Sequence, residues 1–232
     1  DNTPTARFAT WTSMFEGATA KESLLLGSAG NSILDVSTTY YFSVAQSSNY
    51  QAVENDTRQI CPTAGKIKNL YVELSIDPGA APDALRFTLR KNGVSQLLTV
   101  TIVADDTTGN DTVNEVTVAA GDILTMMVEP VSTPTGMPYF HWGMTFVADT
   151  DGESIILGGD EDDLNTGATE YNHLCGFGSN WTANEADRYQ LGQLCTLKKL
   201  YVLLSAAPGD GKSYTFTLRK PGNGQADGNL TV

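Results

Sequence analysis

Cationic side chains are scarce in this chain of 232 residues, which holds 14 Lys and Arg against 27 Asp and Glu and carries a formal net charge of -13. Nucleic-acid binding relies on clustered Lys and Arg to displace counterions from phosphates, so this charge argues against a nucleic-acid partner. No apolar run approaches the ~18 residues of a membrane-spanning helix, which argues against membrane insertion. The chain opens without a basic and apolar leader, which indicates a mature chain or a piece of a longer one.

Residues that commonly carry out catalysis are also few. The only two histidines, His141 and His173, lie far apart, and neither belongs to a Ser/His/Asp, Cys/His or His-x-x-x-His arrangement. The acidic residues cluster in stretches typical of solvated loops rather than of a cleft with paired carboxylates. We therefore predict that the protein is not an enzyme.

Cysteine is limited to Cys61, Cys175 and Cys195, which are too few and too scattered for a zinc site. Two interpretations remain open. Cys175 and Cys195 could form a disulfide between neighbouring strands, or the cysteines are buried free thiols.

What the chain does contain is an internal repeat. Residues 66–75 recur as residues 196–205, and residues 85–91 recur as residues 214–220 with five consecutive identities. Residues 11–27 also align with residues 142–158 without a gap, and 7 of the 17 positions are identical. This self-similarity indicates a duplicated structural unit.

The repeated segments have the pattern of β-strands. Leu70, Val72 and Leu74 alternate with polar or exposed positions, as expected for a strand with one buried face. Asn92-Gly93 predicts a tight hairpin, and turn signals elsewhere divide the first unit into roughly eight strands. We predict an all-β fold of two tandem antiparallel β-sandwiches of jelly-roll type, over residues 1–141 and 142–232.

The second unit is expected to be incomplete. Its end at residues 230–232 corresponds to residues 98–100, so the equivalent of residues 101–141, with two core strands, is absent. A sandwich without these strands exposes unpaired backbone and an apolar face. Either the natural chain is longer, or a neighbouring subunit provides the strands. The predicted interface residues are Trp11, Phe15, Leu230 and Val232.

Acidic loops are the candidate metal sites. Asp149, Asp151 and Glu153 begin like a calcium loop, and Asp160 and Asp162 follow the next predicted strand. Ca²⁺ takes six to eight oxygen ligands, which closely spaced carboxylates can provide. The full EF-hand pattern is missing, and an ordinary solvated loop is the alternative. No other cofactor is predicted.

The strand and turn motifs resemble those of β-repeat units in uncharacterised structural proteins of tailed phages and environmental viruses. The resemblance is carried by residues 70–75, 78–79, 87–93, 99–102 and 118–123. It implies a non-enzymatic role on the virion exterior, as a capsid decoration protein or a fibre module.

Three functional hypotheses follow. The first is a virion surface component that contacts copies of itself and other structural proteins. The second is an extracellular filament, in which the strand near Trp11 completes the open unit of the next subunit. The third is an adhesin or carbohydrate-binding module that holds glycans through loop acids, Ca²⁺ and exposed aromatics such as Tyr71 and Tyr201. All three place the protein on a virion surface or outside the cell.

Overall fold

The computed structural model describes residues 15–17, 19–29, 35–45, 50–136, 138–178, 180–190, 195–219 and 226–231, the last range by its backbone alone. These residues form thirteen β-strands and two short 3-10 turns, Glu54–Thr57 and Glu185–Arg188, with no α-helix among them. Within the described ranges no helix has the length and apolarity required to cross a lipid bilayer. The predicted all-β class is confirmed.

Nine strands belong to the first part of the chain and four short strands to the rest. The first nine are β1 Glu22–Ser28, β2 Tyr40–Phe42, β3 Gln59–Ile60, β4 Gly65–Leu74, β5 Ala84–Lys91, β6 Val94–Val103, β7 Thr108–Val118, β8 Ile123–Val131 and β9 Phe140–Ala148. The others are β10 Gly158–Gly159, β11 Gly176–Phe177, β12 Thr215–Arg219 and β13 Ala226–Thr231.

The first nine strands form two antiparallel sheets. Sheet 1 has the order β1-β9-β4-β7, and sheet 2 has the order β2-β8-β5-β6, with β3 also paired to β8. Apart from β2 and β3 and the hairpin β5–β6, which lie in sheet 2, strands that follow one another in sequence belong to opposite sheets. This is the strand order of a jelly roll. We call β1–β9 the first sandwich and residues 149–232 the second half.

The last strand of the first sandwich crosses the domain boundary expected from the sequence. The boundary between residues 141 and 142 falls inside β9, which pairs with β1 on one side and β4 on the other. Residues 142–148 therefore complete sheet 1 instead of opening a second unit. Sequence similarity to residues 11–17 places residue 142 at the start of a repeat, but it does not reveal to which neighbours a strand is hydrogen-bonded.

A bulge in β4 explains the spacing of its buried residues. Ile67 and Leu70 are both fully buried although three positions separate them, and the pairing register shifts between Lys68 and Leu70. Asn69, at the bulge, has φ of 55°, a left-handed conformation that Asn tolerates better than most residues. From Leu70 onward, the side chains alternate between the core and the outer face.

Aromatic side chains join the two sheets in the core. The ring of Phe140 on β9 packs edge-on against Phe42 on β2 at 5.2 Å between centroids and against Phe87 on β5 at 5.0 Å. The indole Nε1 of Trp142 donates a 2.9 Å hydrogen bond to the backbone oxygen of Val44. This cluster is the centre of an apolar core that runs the length of the sandwich.

Candidate assembly site

An arginine, a glutamate and a tyrosine form the same contacts in both parts of the chain. In the first sandwich, Arg90 lies 2.8 Å from the carboxylate of Glu54 and 5.8 Å from the ring centre of Tyr41. In the second half, Arg219 lies 2.7 Å from Glu185 and 5.9 Å from the ring centre of Tyr171. The pairing of these side chains raises the pKa of both guanidinium groups.

A glutamine beside each 3-10 turn repeats a second set of contacts. The amide of Gln59 accepts a hydrogen bond from the Ala45 backbone N–H at 3.0 Å and donates one to the Ala45 oxygen at 3.4 Å. Gln190 bonds the backbone of Cys175 in the same way, at 2.8 and 2.6 Å. Because Ala45 corresponds to Cys175, Tyr171 takes the place of Tyr41. In sequence, the 131-residue offset that aligns residues 11–27 with residues 142–158 would instead match Tyr171 with Tyr40.

A lysine–glutamate pair is the third repeated contact. Lys68 on β4 lies 3.0 Å from Glu22 on β1, and β9 lies between these two strands in sheet 1. Lys198 lies 2.7 Å from Glu153, the residues that match Lys68 and Glu22 in sequence. The second half therefore keeps an ion pair that, in the first sandwich, reaches across an intervening strand.

Residues 196–205, which the sequence predicts to be a strand, do not pair into a sheet with any described segment. Their local conformation nevertheless matches β4, because Lys199 has φ of 59° where Asn69 has 55°. A strand needs neighbours to form a hydrogen-bonded ladder. β4 has β7 and β9 on its two sides, whereas within the described ranges residues 196–205 have no ladder partner.

The side chains that match the core of the first sandwich are exposed in the second half. Ile67 and Leu70 are 0% exposed, and their equivalents Leu197 and Leu200 are 43% and 45% exposed. Leu25 of β1 is 2% exposed, and Ile156 is 44% exposed. These residues make up the open face, which we define as Ile156, Leu197 and Leu200 with the partly exposed Val202 and Leu204. An apolar face of this kind is typical of an interaction surface.

The contacts between the second half and the first sandwich include those of one carboxylate and two apolar side chains. Glu153 is only 7% exposed and accepts from Lys198, Lys199 and the hydroxyl of Thr63. The contacts with Lys198 and then with Lys199 and Thr63 lower the pKa of Glu153 to about 2. Ile155 and Leu157, on either side of the exposed Ile156, pack into the core of the first sandwich.

The structure does not bring the five calcium candidates together. Among the described residues, which include all five, no three His, Cys, Asp or Glu side chains are grouped closely enough for a metal ion. Glu153 is engaged by lysines, and Asp160 accepts hydrogen bonds from the backbone of Asp162 and the amide of Asn172. Asp149 contacts Lys21 and Ala64 through its backbone, while Asp151 is exposed in a turn.

Only part of the predicted interface can be placed. Trp11 and Val232 lie outside the described residues, and Leu230 belongs to β13, whose backbone pairs with β12. Phe15 is 47% exposed and lines a surface hollow. The other residues of the hollow come from two segments that match each other in the repeat: Lys21, Glu22, Ser23 and Leu24 from one, and Asp151, Gly152, Glu153 and Ser154 from the other.

None of the three cysteines, all of which lie in the described ranges, forms a disulfide. Cys61 is buried, Cys175 is partly buried and Cys195 is exposed, so the disulfide between Cys175 and Cys195 is not formed and only Cys61 fits the buried alternative. Burial raises the pKa of the Cys61 thiol, which keeps it protonated at neutral pH. His141 is exposed on β9.

Comparison with known proteins identifies no family. The chain matches no protein-family model, and no curated protein is significantly similar to it.

The sequence analysis did not identify the glutamates and glutamines that make the repeated contacts of the site. Glu54, Glu185, Gln59 and Gln190 are identical within a matched stretch, residues 54–60 and 185–191, and this identity was the signal that could have revealed them.

Proposed function

We propose that the protein is a non-enzymatic structural component of a virion surface, either a capsid decoration protein or a fibre module. In this proposal the second half is another jelly-roll unit whose open face is covered by further polypeptide. Its partners are copies of the chain and other structural proteins. The proposal rests on the open face and on the repeated contacts around it, and on the viral resemblance of the strand and turn motifs.

The single observation that carries the proposal is the contrast between Leu70 and Leu200. Both follow a residue with the same left-handed bulge conformation, yet one is buried and the other is exposed. Exposed leucines on an extended segment without a ladder partner favour the binding of another segment. Burial of apolar surface and strand pairing both lower the free energy of the bound state. The strands that flank β4 in the first sandwich, β7 and β9, have no described equivalents beside residues 196–205.

The charge of the chain also favours an assembly role. At high local concentration, a net charge of -13 keeps neighbouring copies from non-specific association, so that binding depends on the open face. The absence of a grouped metal site gives the adhesin hypothesis no structural support among the described residues.

Labelling of native particles would test the proposal. One antibody is raised against residues 196–205 of the open face and a second against residues 104–107, the exposed turn between β6 and β7. We expect the second antibody to label intact particles, while the first labels only particles that have been dissociated. Equal labelling by both antibodies, or recovery of the chain only as a free monomer, would contradict the proposal.

A further inference from the structure

We propose that the outer face of β1 binds the open face of a neighbouring copy of the chain, so that copies join head to tail. The outer face of β1 consists of Leu24 and Leu26, whose side chains are exposed on either side of the buried Leu25. This inference rests on the proposed function, because it takes the second half as a jelly-roll unit with an uncovered core. It identifies the polypeptide that covers this core.

A contact within the chain provides the template. Ile155 and Leu157, from the first segment of the second half, are 6% and 3% exposed. Both belong to the apolar core of the first sandwich, together with Ile67 and Leu70 of β4. Ile156, between them, is exposed and belongs to the open face. One side of this segment therefore packs into the preceding unit, while its other side faces the core of its own unit.

The open face is the counterpart of the core that receives these side chains. Ile67 and Leu70 lie in that core, and Leu197 and Leu200 are the matching residues of the second half. Both leucines are nearly half exposed, so the core of the second unit has no full cover. By the plan of the first sandwich, part of this cover is the first segment of another unit.

The first segment of the first unit has an uncovered side of the required kind. Leu24 and Leu26 match Ile155 and Leu157 in the repeat, which aligns without a gap over this stretch. The two leucines are 43% and 54% exposed, although the residues that match them are buried in another unit. The chain thus exposes both halves of a contact that it forms once internally, and a second copy can join them.

The two first segments also begin with the same backbone conformation. Lys21, before β1, has φ of 70°, and the matching Gly152 has φ of 76°. Both values lie in the left-handed region, which few residues adopt. Glu22 and Glu153 follow, and each forms an ion pair with the matching lysine of its own unit. Side chains at matching positions are therefore presented in the same way.

The charges beside both faces are compensated within the chain. Glu22, next to the outer face of β1, is paired with Lys68. Lys198 and Lys199, next to the open face, are both paired with Glu153. Apolar contact between the two faces would therefore not bury one of these ions without its partner, which is the costly case. Because the two faces differ, the contact is heterologous and repeats from copy to copy as a ring or a filament.

Two variants of the full chain would test this proposal. The β1 variant carries Leu24→Ser and Leu26→Ser and keeps its open face. The open-face variant carries Leu197→Ser and Leu200→Ser and keeps its β1. Sedimentation velocity over a range of protein concentrations measures the size of each variant alone and of the two mixed. A reducing buffer prevents disulfides between copies.

A matched control and a folding control accompany these variants. The matched control carries Leu97→Ser and Val113→Ser, on β6 and β7, whose side chains are 77% and 89% exposed. It removes exposed apolar surface without changing either face. Circular dichroism verifies that each variant keeps its strand content. A variant that loses strand content is replaced by the corresponding pair of glutamine substitutions.

We expect the unaltered chain and the matched control to form larger species as the concentration rises. The β1 variant and the open-face variant should each remain monomeric at the same concentrations. Their mixture should form a heterodimer with one copy of each and nothing larger, because one complementary pair of faces remains intact. This rescue would not occur if the substitutions only damaged the fold.

Four results would overturn the proposal. An unaltered chain that is monomeric at every concentration would remove the contact. Association of the β1 variant with itself, lost only in the open-face variant, would pair the open face with its own counterpart. Association that neither pair of substitutions changes would place the contact elsewhere on the molecule. Failure of the mixed variants to form a heterodimer would deny that the two faces bind each other.

These outcomes are distinguishable from failure of the proposed function. The labelling test uses native particles, in which another structural protein can cover the open face. A purified chain that does not associate would therefore overturn this inference and leave the result of the labelling test unchanged.

Discussion

Lys198 lies 2.7 Å from Glu153, in the place where the first sandwich has Lys68 at 3.0 Å from Glu22. The two pairs differ in what separates their backbones. In sheet 1 the pair reaches across β9, whereas no described strand lies between residues 153–159 and 196–205. The second half therefore keeps long-range contacts of a sandwich without the ladder that normally accompanies them.

The Glu153 carboxylate should titrate far below its ordinary pKa of 4.5. Because its pKa in the folded chain is lowered to about 2, the contacts with Lys198, Lys199 and Thr63 stabilise the fold above pH 4.5 and are lost as the pH falls through 2. Carbon NMR of the Glu153 side chain should show a midpoint near 2. A midpoint near 4.5 would mean that these contacts do not hold in solution.

Leu70 and Leu200 should differ greatly in their sensitivity to the same substitution. Leu70→Ser creates a polar cavity in the core and should lower the free energy of unfolding by about 3–5 kcal/mol. Leu200→Ser changes an exposed side chain and should alter it by less than about 0.5 kcal/mol. Urea unfolding of the two variants measures the difference. Similar losses would mean that Leu200 is buried in the isolated protein.

Gly27→Ala should disrupt the core although alanine is small. Its Cβ would lie 2.2 Å from the indole of Trp142, so the ring must move and the Trp142 bond to Val44 is strained or lost. We expect the free energy of unfolding to fall by about 1–3 kcal/mol and the tryptophan fluorescence to shift. Gly143→Ala is the matched control, since its Cβ has ordinary contact with Leu26 at 3.4 Å. An unchanged Gly27→Ala variant would refute the close contact.

Loss of the Glu54 carboxylate should lower the stability of the protein more than loss of the Glu185 carboxylate. Arg90 and Glu54 are both less than 20% exposed, so Glu54→Gln leaves a poorly solvated guanidinium and should cost about 1–2 kcal/mol. Arg219 and Glu185 are more exposed, and Glu185→Gln should produce the smaller loss. Thermal unfolding of both variants provides the comparison. A greater loss of stability for Glu185→Gln would indicate that Arg219 and Glu185 are less exposed in solution than in the structure.

Local patterns predicted much of the first sandwich. The alternation around Leu70, the strand at residues 85–91 and the hairpin at Asn92-Gly93 depend on residues close in sequence. The structure has them in β4, in β5 and at the turn between β5 and β6. The bulge at Asn69 was not predicted. It depends on one residue with a positive φ, which the alternating pattern does not reveal.

The candidate site was less predictable from sequence. The acids near residue 153 looked like metal ligands because carboxylates at short spacing suit calcium, yet Glu153 contacts lysines 45 and 46 positions away. Tyr171 matches Tyr40 in sequence but takes the contacts of Tyr41, because the surrounding segments are out of step by one residue. These contacts join distant parts of the chain, and spacing along the sequence carries no information about them.

The sequence by itself determined the all-β class and the internal repeat, because side-chain alternation and turn chemistry act over a few residues. Tertiary structure alone decided that residues 142–148 complete the first sandwich, and that Leu70 is buried while Leu200 is exposed. Both facts depend on which strands lie next to one another. The neighbours of a strand are set by hydrogen bonding and apolar packing between distant segments, so the same sequence motif can be buried in one unit and open in the other.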